Sequence, residues 1–395
     1  MNSNDEKLNI IEASFLIVIV MIVHIISNLP NLIISEIGTS SIINSIYVFA
    51  LVIIYFLIVN KLFKPFIGLD ILDVAKYTFG SFYEKILSLL YIAYLLFASG
   101  MLLRRFAEIL KVIYFHNVSV AVIILLFLIT GIIANTISKR ALISANTIIM
   151  PALLTSVIVI FVSAFSSYNF NSVFPVFGYG LKNTFVYGSS NIYCYGGLIF
   201  IFLIMPFLKN CNDLKKVGLT SIILSGGFLI LSVSSVLMLF PFIKDGTNAL
   251  AVYLSSREVD FGRFLQRSDA LFMFIWMFAF ISYLSVILFY VQIIRKKGLA
   301  CIKNVNTSKN NNENKVSVFQ TSSSKRKDNF YLLLSSIIIF IVALSPNNVW
   351  ELAFLEKTIY KYFSLIVVYS ISFFTLLIGY FKKRRSNIVQ KKNTN

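Results

Sequence analysis

Ten apolar runs, each near the length of a bilayer-crossing helix, leave few folds open to this chain. They lie near residues 10–37, 42–63, 85–105, 119–137, 143–166, 188–208, 218–243, 269–294, 330–345 and 361–381. A helix rises about 1.5 Å per residue, so roughly 20 apolar residues cover the hydrocarbon core. The run at 330–345 is the shortest of the set. Hydrophobic residues make up 58% of the 395, and charged residues only 13%. Soluble domains carry about 25% charged residues, so lipid must be the solvent for most of this surface. The expected fold class is all-α integral membrane, because only a helix satisfies its own backbone within one apolar segment.

The net charge of +18 sorts by side rather than forming a nucleic-acid footprint. One set of connections holds Lys61, Lys64, Lys76, Lys85, Lys139, Arg140, Lys209, Lys215 and Lys216. The same side holds the segment from Arg295 to Lys327 and the tail from Lys382 to Lys392. With Lys7 it takes about 25 of the 35 basic residues, and the positive-inside rule assigns that side to the cytoplasm. Both termini are then cytoplasmic, which agrees with an even number of spans. The expected partners at this level are the bilayer and its anionic lipid, not nucleic acid. The first run lacks a small-residue cleavage site and continues past Pro30, so it reads as a span rather than a signal peptide.

The chain reads as a single membrane domain over 1–395. Ten spans divide into halves of five, about 10–166 and 188–381, and an odd number per half inverts the second against the first. Between them sit connections of distinct kinds. Residues 298–329, rich in Asn, Ser and Lys, read as a flexible cytoplasmic loop, and 382–395 as a basic cytoplasmic tail. Asp70 to Tyr83 reads either as a short interfacial helix, with Ile71, Val74, Ala75 and Phe79 near one face, or as an ordered loop. The outer segment 246–268 mixes Leu250, Tyr253, Leu254 and Phe261 with charges, as an amphipathic helix would.

Two places invite a helix break. In Val23-His24-Ile25-Ile26-Ser27-Asn28-Leu29-Pro30, the proline has no amide to donate and suits the first turn of a new helix. A break near 23–27 would turn free amides toward the membrane midplane, where they could hold an anion. A merely kinked helix is the other reading. His24 is an ionisable group near mid-membrane, and is either a ligand contact or a structural donor to a facing helix. The sixth span opens with Gly188 to Gly197, where Tyr193, Cys194, Gly196 and Gly197 fit an unwound segment or close packing through small residues.

On the third span, Arg104 and Glu108 are four apart and share a helix face, as an ion pair at the outer boundary would. Tyr94 and Ala98 lie mid-span and either line a pocket or pack. The eighth span opens at Gln266-Arg267, with Trp276 two turns inward. The chain offers no phosphate-cradling loop and no nucleophile–base–acid set, and its only histidines are His24 and His116. No cofactor, no metal site and no enzyme activity is expected. Cys194, Cys211 and Cys301 give no disulfide framework.

In order and spacing, these features resemble the endospore germination permeases, the B subunits of Ger-type nutrient receptors, within the amino acid–polyamine–organocation superfamily. The match runs nearly end to end. It is carried by Leu8-Asn9, Leu29-Pro30, Arg104 with Glu108, Pro175 to Gly180, Gln266-Arg267 with Trp276, and Pro346. Gln266 stands where the family has an acid. Val23-His24-Ile25 stands where the family often has glycines, and Gly197 where it often has a glutamate.

The resemblance implies a LeuT-type fold and a sensor in the inner spore membrane. Its partners would be a membrane-embedded A subunit and a lipoprotein C subunit. Its ligand would be a small nutrient such as an amino acid. The expected ligand site lies between the broken first and sixth spans, with walls from the third and eighth. Its candidates are Val23, His24, Ser27, Asn28, Tyr94, Ala98, Tyr193, Cys194, Gly196, Gly197 and Trp276, with Pro30, Arg104, Glu108 and Arg267 as structural or gating residues. An amino-acid permease of the same fold and a ligand-free membrane scaffold are the alternatives.

Overall fold

A computed structural model describes residues 7–137, 139–240, 253, 268–299 and 325–393. Within them, ten helical stretches are long and apolar enough to cross a membrane. They form an inner and an outer layer. In the first and sixth spans 78% of the apolar window is buried, against 22% in the fourth and 28% in the ninth. The peripheral helices turn residues such as Leu126, Ile133 and Ile341 outward, as lipid-facing helices do. The fifth to eighth spans all pack against the first.

The first span is built from two helices, α1 (Ile10–Ser27) and α2 (Leu29–Ile37). The Asn9 amide donates to the Glu12 carboxylate at the start of α1 (2.9 Å), one arm of a capping box. The interruption is a single residue, Asn28, at φ −166° and ψ −10°. It lies just beyond the expected 23–27. That run lacks glycine and stays helical, with Ser27 Oγ donating to the Val23 carbonyl (2.7 Å). Pro30 falls in the first turn of α2, where its missing amide costs least.

The sixth span departs further from α-geometry. Tyr187–Phe200 is a 3-10 helix of 14 residues, with Tyr195 at φ −96° and ψ 30° just before the glycine pair. Runs of 3-10 helix longer than about 4 residues are uncommon. A Cβ on Gly196 would lie 2.2 Å from Tyr94 Oη, and one on Gly197 2.8 Å from Met21 Cγ. Both readings made from the sequence hold here: the helix is broken, and the small residues admit close neighbours. At the basic face the ends of the two broken spans are joined. The Leu8 amide donates to the Phe207 carbonyl (2.8 Å), and the Lys209 amide to the Leu8 carbonyl (3.1 Å).

The tenth span starts at Val349 rather than near 361 and runs as one helical course to Asn393. It contains π-helical segments at Glu356–Tyr360 and Leu365–Ile371. The expected basic tail is thus largely a helical extension, and Lys382 donates to the Tyr77 and Thr78 carbonyls (3.0 and 2.9 Å). The ninth span begins at Lys325, so the expected loop gives up its last residues to a helix. Residues 300–324 of that loop, with Cys301, lie outside the described residues, as do Gln266, Arg267 and most of 246–268.

Asp70 to Tyr83 contains a helix, Ile71–Phe79, rather than only a loop. The Asp70 carboxylate caps it by accepting from the Leu72 and Asp73 amides (3.0 and 3.1 Å). Ile71, Val74 and Ala75 are buried while Phe79 faces out.

Candidate functional site

A small cavity opens at the interruption of the first span. Its walls are His24, Ser27, Asn28, Leu29 and Leu32 from the first span, Ala98, Met101 and Leu102 from the third, and Glu356 and Tyr360 from the tenth. Its volume of about 20 Å³ is room for roughly one water.

One wall carries charge. Arg105 Nη2 and Nε donate to Glu356 Oε2 and Oε1 (2.6 and 3.3 Å), and Asn28 Nδ2 donates to the same carboxylate (2.9 Å). The Arg105 side chain is wholly buried and that of Glu356 is 9% exposed. Forked geometry of this kind makes the strongest hydrogen bonds between charged groups. Arg105 Nη1 is buried with no hydrogen-bond partner. Asn28 is the residue before α2, so Glu356 is held where an anion is favoured by the helix end.

Beside the charged wall, aromatic rings fill the space toward the sixth span. His24 stacks on Tyr360 (centroids 5.5 Å apart, planes at 11°), and Tyr360 on Tyr94 (6.1 Å, 12°). His24 Nε2 lies 3.2 Å from Tyr283 Oη. Tyr193 meets Tyr360 edge-on (5.9 Å). Tyr94 and Tyr360 place their hydroxyls against Gly196.

The structure therefore divides the residues expected at the site. His24, Ser27, Asn28 and Ala98 meet at one cavity. Tyr94 belongs to the ring stack, with its hydroxyl 3.4 Å from Ser364 Oγ. Val23, Tyr193, Cys194, Gly196 and Gly197 are buried and do not line the cavity, and of these Tyr193 and Gly196 lie against the ring stack. Trp276 packs on Phe106 and Phe272. Arg104 and Glu108 form the expected pair (2.8 Å).

Sequence reasoning missed Arg105, Glu356, Tyr360 and Tyr283. A signal existed for the first. Arg104-Arg105 puts two guanidinium groups in an apolar span, and Glu108 can pair with only one of them. A buried charge in a membrane needs a partner.

Two further charged networks lie outside the cavity. On the side away from the basic face, Lys361 Nζ bonds Glu36 at the end of α2 (2.8 Å) and lies 3.4 Å from Asn191 Oδ1. Asn191 donates to Asn44 (3.0 Å), and Asn44 to the Thr184 carbonyl (2.8 Å). Thr39 Oγ1 donates to the Pro175 carbonyl, tying the 175–180 loop to the same corner. On the basic face, Lys297 Nζ bridges Asp70 and Asp73 (2.7 and 2.5 Å). Burial pushes the Asp70 carboxyl up to about 6, with Asp73 adding to the rise and Lys297 opposing it.

Comparison with known proteins agrees with this architecture. The sequence model for the spore germination protein family of permeases matches residues 7–307. This chain belongs to that family. No curated protein matches it by sequence. Among solved structures, it is similar to the substrate-bound, outward-open state of a Na+-coupled sialic acid symporter. The TM-score is 0.59 at 11% identity, covering 93% of this chain and 80% of the symporter. The fold of this germination permease is therefore the LeuT type, with its five-plus-five inverted repeat. It is a multi-pass membrane protein, and its family and structural neighbour are permease or transporter types. The matched family segment ends before the tenth span, which supplies Glu356 and Tyr360.

Proposed function

We propose that this chain is a transporter-like sensor, the B subunit of a spore germinant receptor. It binds a small nutrient such as an amino acid at the cavity beside Asn28. The observation that supports this reading is the cavity itself: a helix interruption, an apolar wall and a buried charged pair at one point. With room for roughly one water, the cavity as it stands does not admit an amino acid, so binding requires the walls to part. Ligand binding would favour a wider conformer over the present one, and a ligand shifts such an equilibrium only by binding one state better. The shift would pass to the A and C subunits in the inner spore membrane, with both termini of this chain cytoplasmic.

The test is nutrient-triggered germination of spores lacking this gene, against a panel of amino acids. Loss of response to particular nutrients is expected. An unchanged response to every nutrient, in a strain without a second copy, would overturn the receptor reading. The permease family and the transporter fold also fit a second reading, an amino-acid permease of the same fold. Uptake into proteoliposomes by this chain alone would move the reading there.

A further inference from the structure

From the same cavity we infer that the Arg105–Glu356 pair is its charge-recognition element and is exchanged when ligand binds. A zwitterionic ligand parts the pair. Its carboxylate takes the place of the Glu356 carboxylate on Arg105 and Asn28, and its ammonium meets Glu356. This inference rests on the cavity being the nutrient site.

Position is the first argument. Glu356 stands on the cavity wall, and Arg105 lies behind it, fully buried. Whatever displaces Glu356 meets the guanidinium next. Arg105 is also incompletely used, because its Nη1 is buried without an acceptor. A carboxylate that replaces Glu356 on Arg105 has there a donor that the internal pair leaves idle. Asn28 adds a second donor, already engaged with a carboxylate.

Charge balance is the second argument. Removing one partner of a buried pair strands the other in a medium that does not solvate it. A ligand with only a carboxylate would satisfy Arg105 and strand Glu356. A ligand with only an ammonium would do the reverse. A ligand with both leaves no charge unpaired and the site's net charge unchanged. Leu29, Leu32, Met101 and Leu102 then supply an apolar wall for a small aliphatic side chain. The pair thus selects for two opposite charges a few bonds apart, and against ligands in which either is masked.

The test uses the purified full-length protein in lipid nanodiscs. The probes are L-alanine, L-valine and L-leucine, each beside its N-acetyl and its carboxamide form. At least one free amino acid should raise the melting temperature in a concentration-dependent way, as a native-state ligand must. Its two masked forms should bind at least tenfold more weakly. Arg105→Gln and Glu356→Gln should each abolish the shift. The exchanged variant R105E/E356R keeps an internal pair, so it should melt near the unliganded wild type yet give no shift.

Several results would overturn the inference. They are a masked form that binds as well as its parent, a shift that survives in either Gln variant or in the exchanged variant, or no shift with any free amino acid. If the variants fail to fold, the comparison of free and masked probes on the wild type still decides. Failure of the receptor reading looks different: spores lacking the gene would germinate normally. Spores that lose their response only to an uncharged sugar or nucleoside would keep that reading and sink this one.

Discussion

The two interrupted spans occupy equivalent places in the inverted repeat, yet they are built differently. In the first span the interruption is one residue, Asn28, with a polar side chain, a charged pair and a cavity beside it. In the sixth it is spread over a 3-10 stretch and filled by tyrosine rings lodged against Gly196. A helix break therefore does not by itself leave a cavity. What distinguishes the first break is the carboxylate brought to it by the tenth span. In the second, the backbone irregularity makes room for packing.

This contrast can be broken by experiment. Glu356→Ala should give the largest effect, because Arg105 would be left buried and unpaired. A loss of about 3–5 kcal/mol is expected, read as a fall in melting temperature and yield. Stability within about 0.5 kcal/mol of wild type would remove the charged pair from the comparison. Asn28→Ala should cost about 1.5–3 kcal/mol, the range for a hydrogen bond to a charged group. In the sixth span, Gly196→Ala sets a methyl group against Tyr94 Oη, and overpacking of this kind costs about 1–3 kcal/mol. Tyr94→Phe removes that hydroxyl and should recover part of the loss. Strict additivity of the two changes would show that the rings are not what Gly196 accommodates.

The smallest effect should come from the basic face, away from both breaks. The Asp70 carboxyl is raised from 3.8 to about 6, chiefly by burial. A raised folded-state value means that the proton favours the fold. The contribution is complete below pH about 3.8 and is lost as pH rises through about 6. Melting curves of Asp70→Asn should lack that decline, and an identical pH profile in the two proteins would contradict it.

Much of the fold was legible because membrane spans are a matter of length and apolarity. The first break was legible to within a residue or two, since Pro30 removes a specific hydrogen bond. His24, Ser27, Asn28 and Ala98, which line the cavity, were legible because polar or small groups stand out in an apolar run. Glu356 was not found, for a physical reason. The opening of the tenth span carries Glu351, Glu356, Lys357 and Lys361, and hydropathy places such a segment in water. Glu356 and Lys361 are instead neutralised by Arg105 and Glu36, which lie some 250 and 325 positions earlier. Pairing at such separation is settled by the fold, and no local pattern reports it. Nor does any pattern announce the π-helical turn that presents Glu356 and Tyr360 to one cavity.

The backbone bridge between Leu8 and the end of the sixth span has a mechanical consequence. Two hydrogen bonds join the basic-face tips of α1 and the sixth span into one lever arm, so neither can slide along the other without giving up both. A rearrangement at Asn28 that keeps this bridge intact would reach the basic face as a shared tilt of the two tips. That face would receive a rotation about a fixed pivot instead of an independent stroke from each helix.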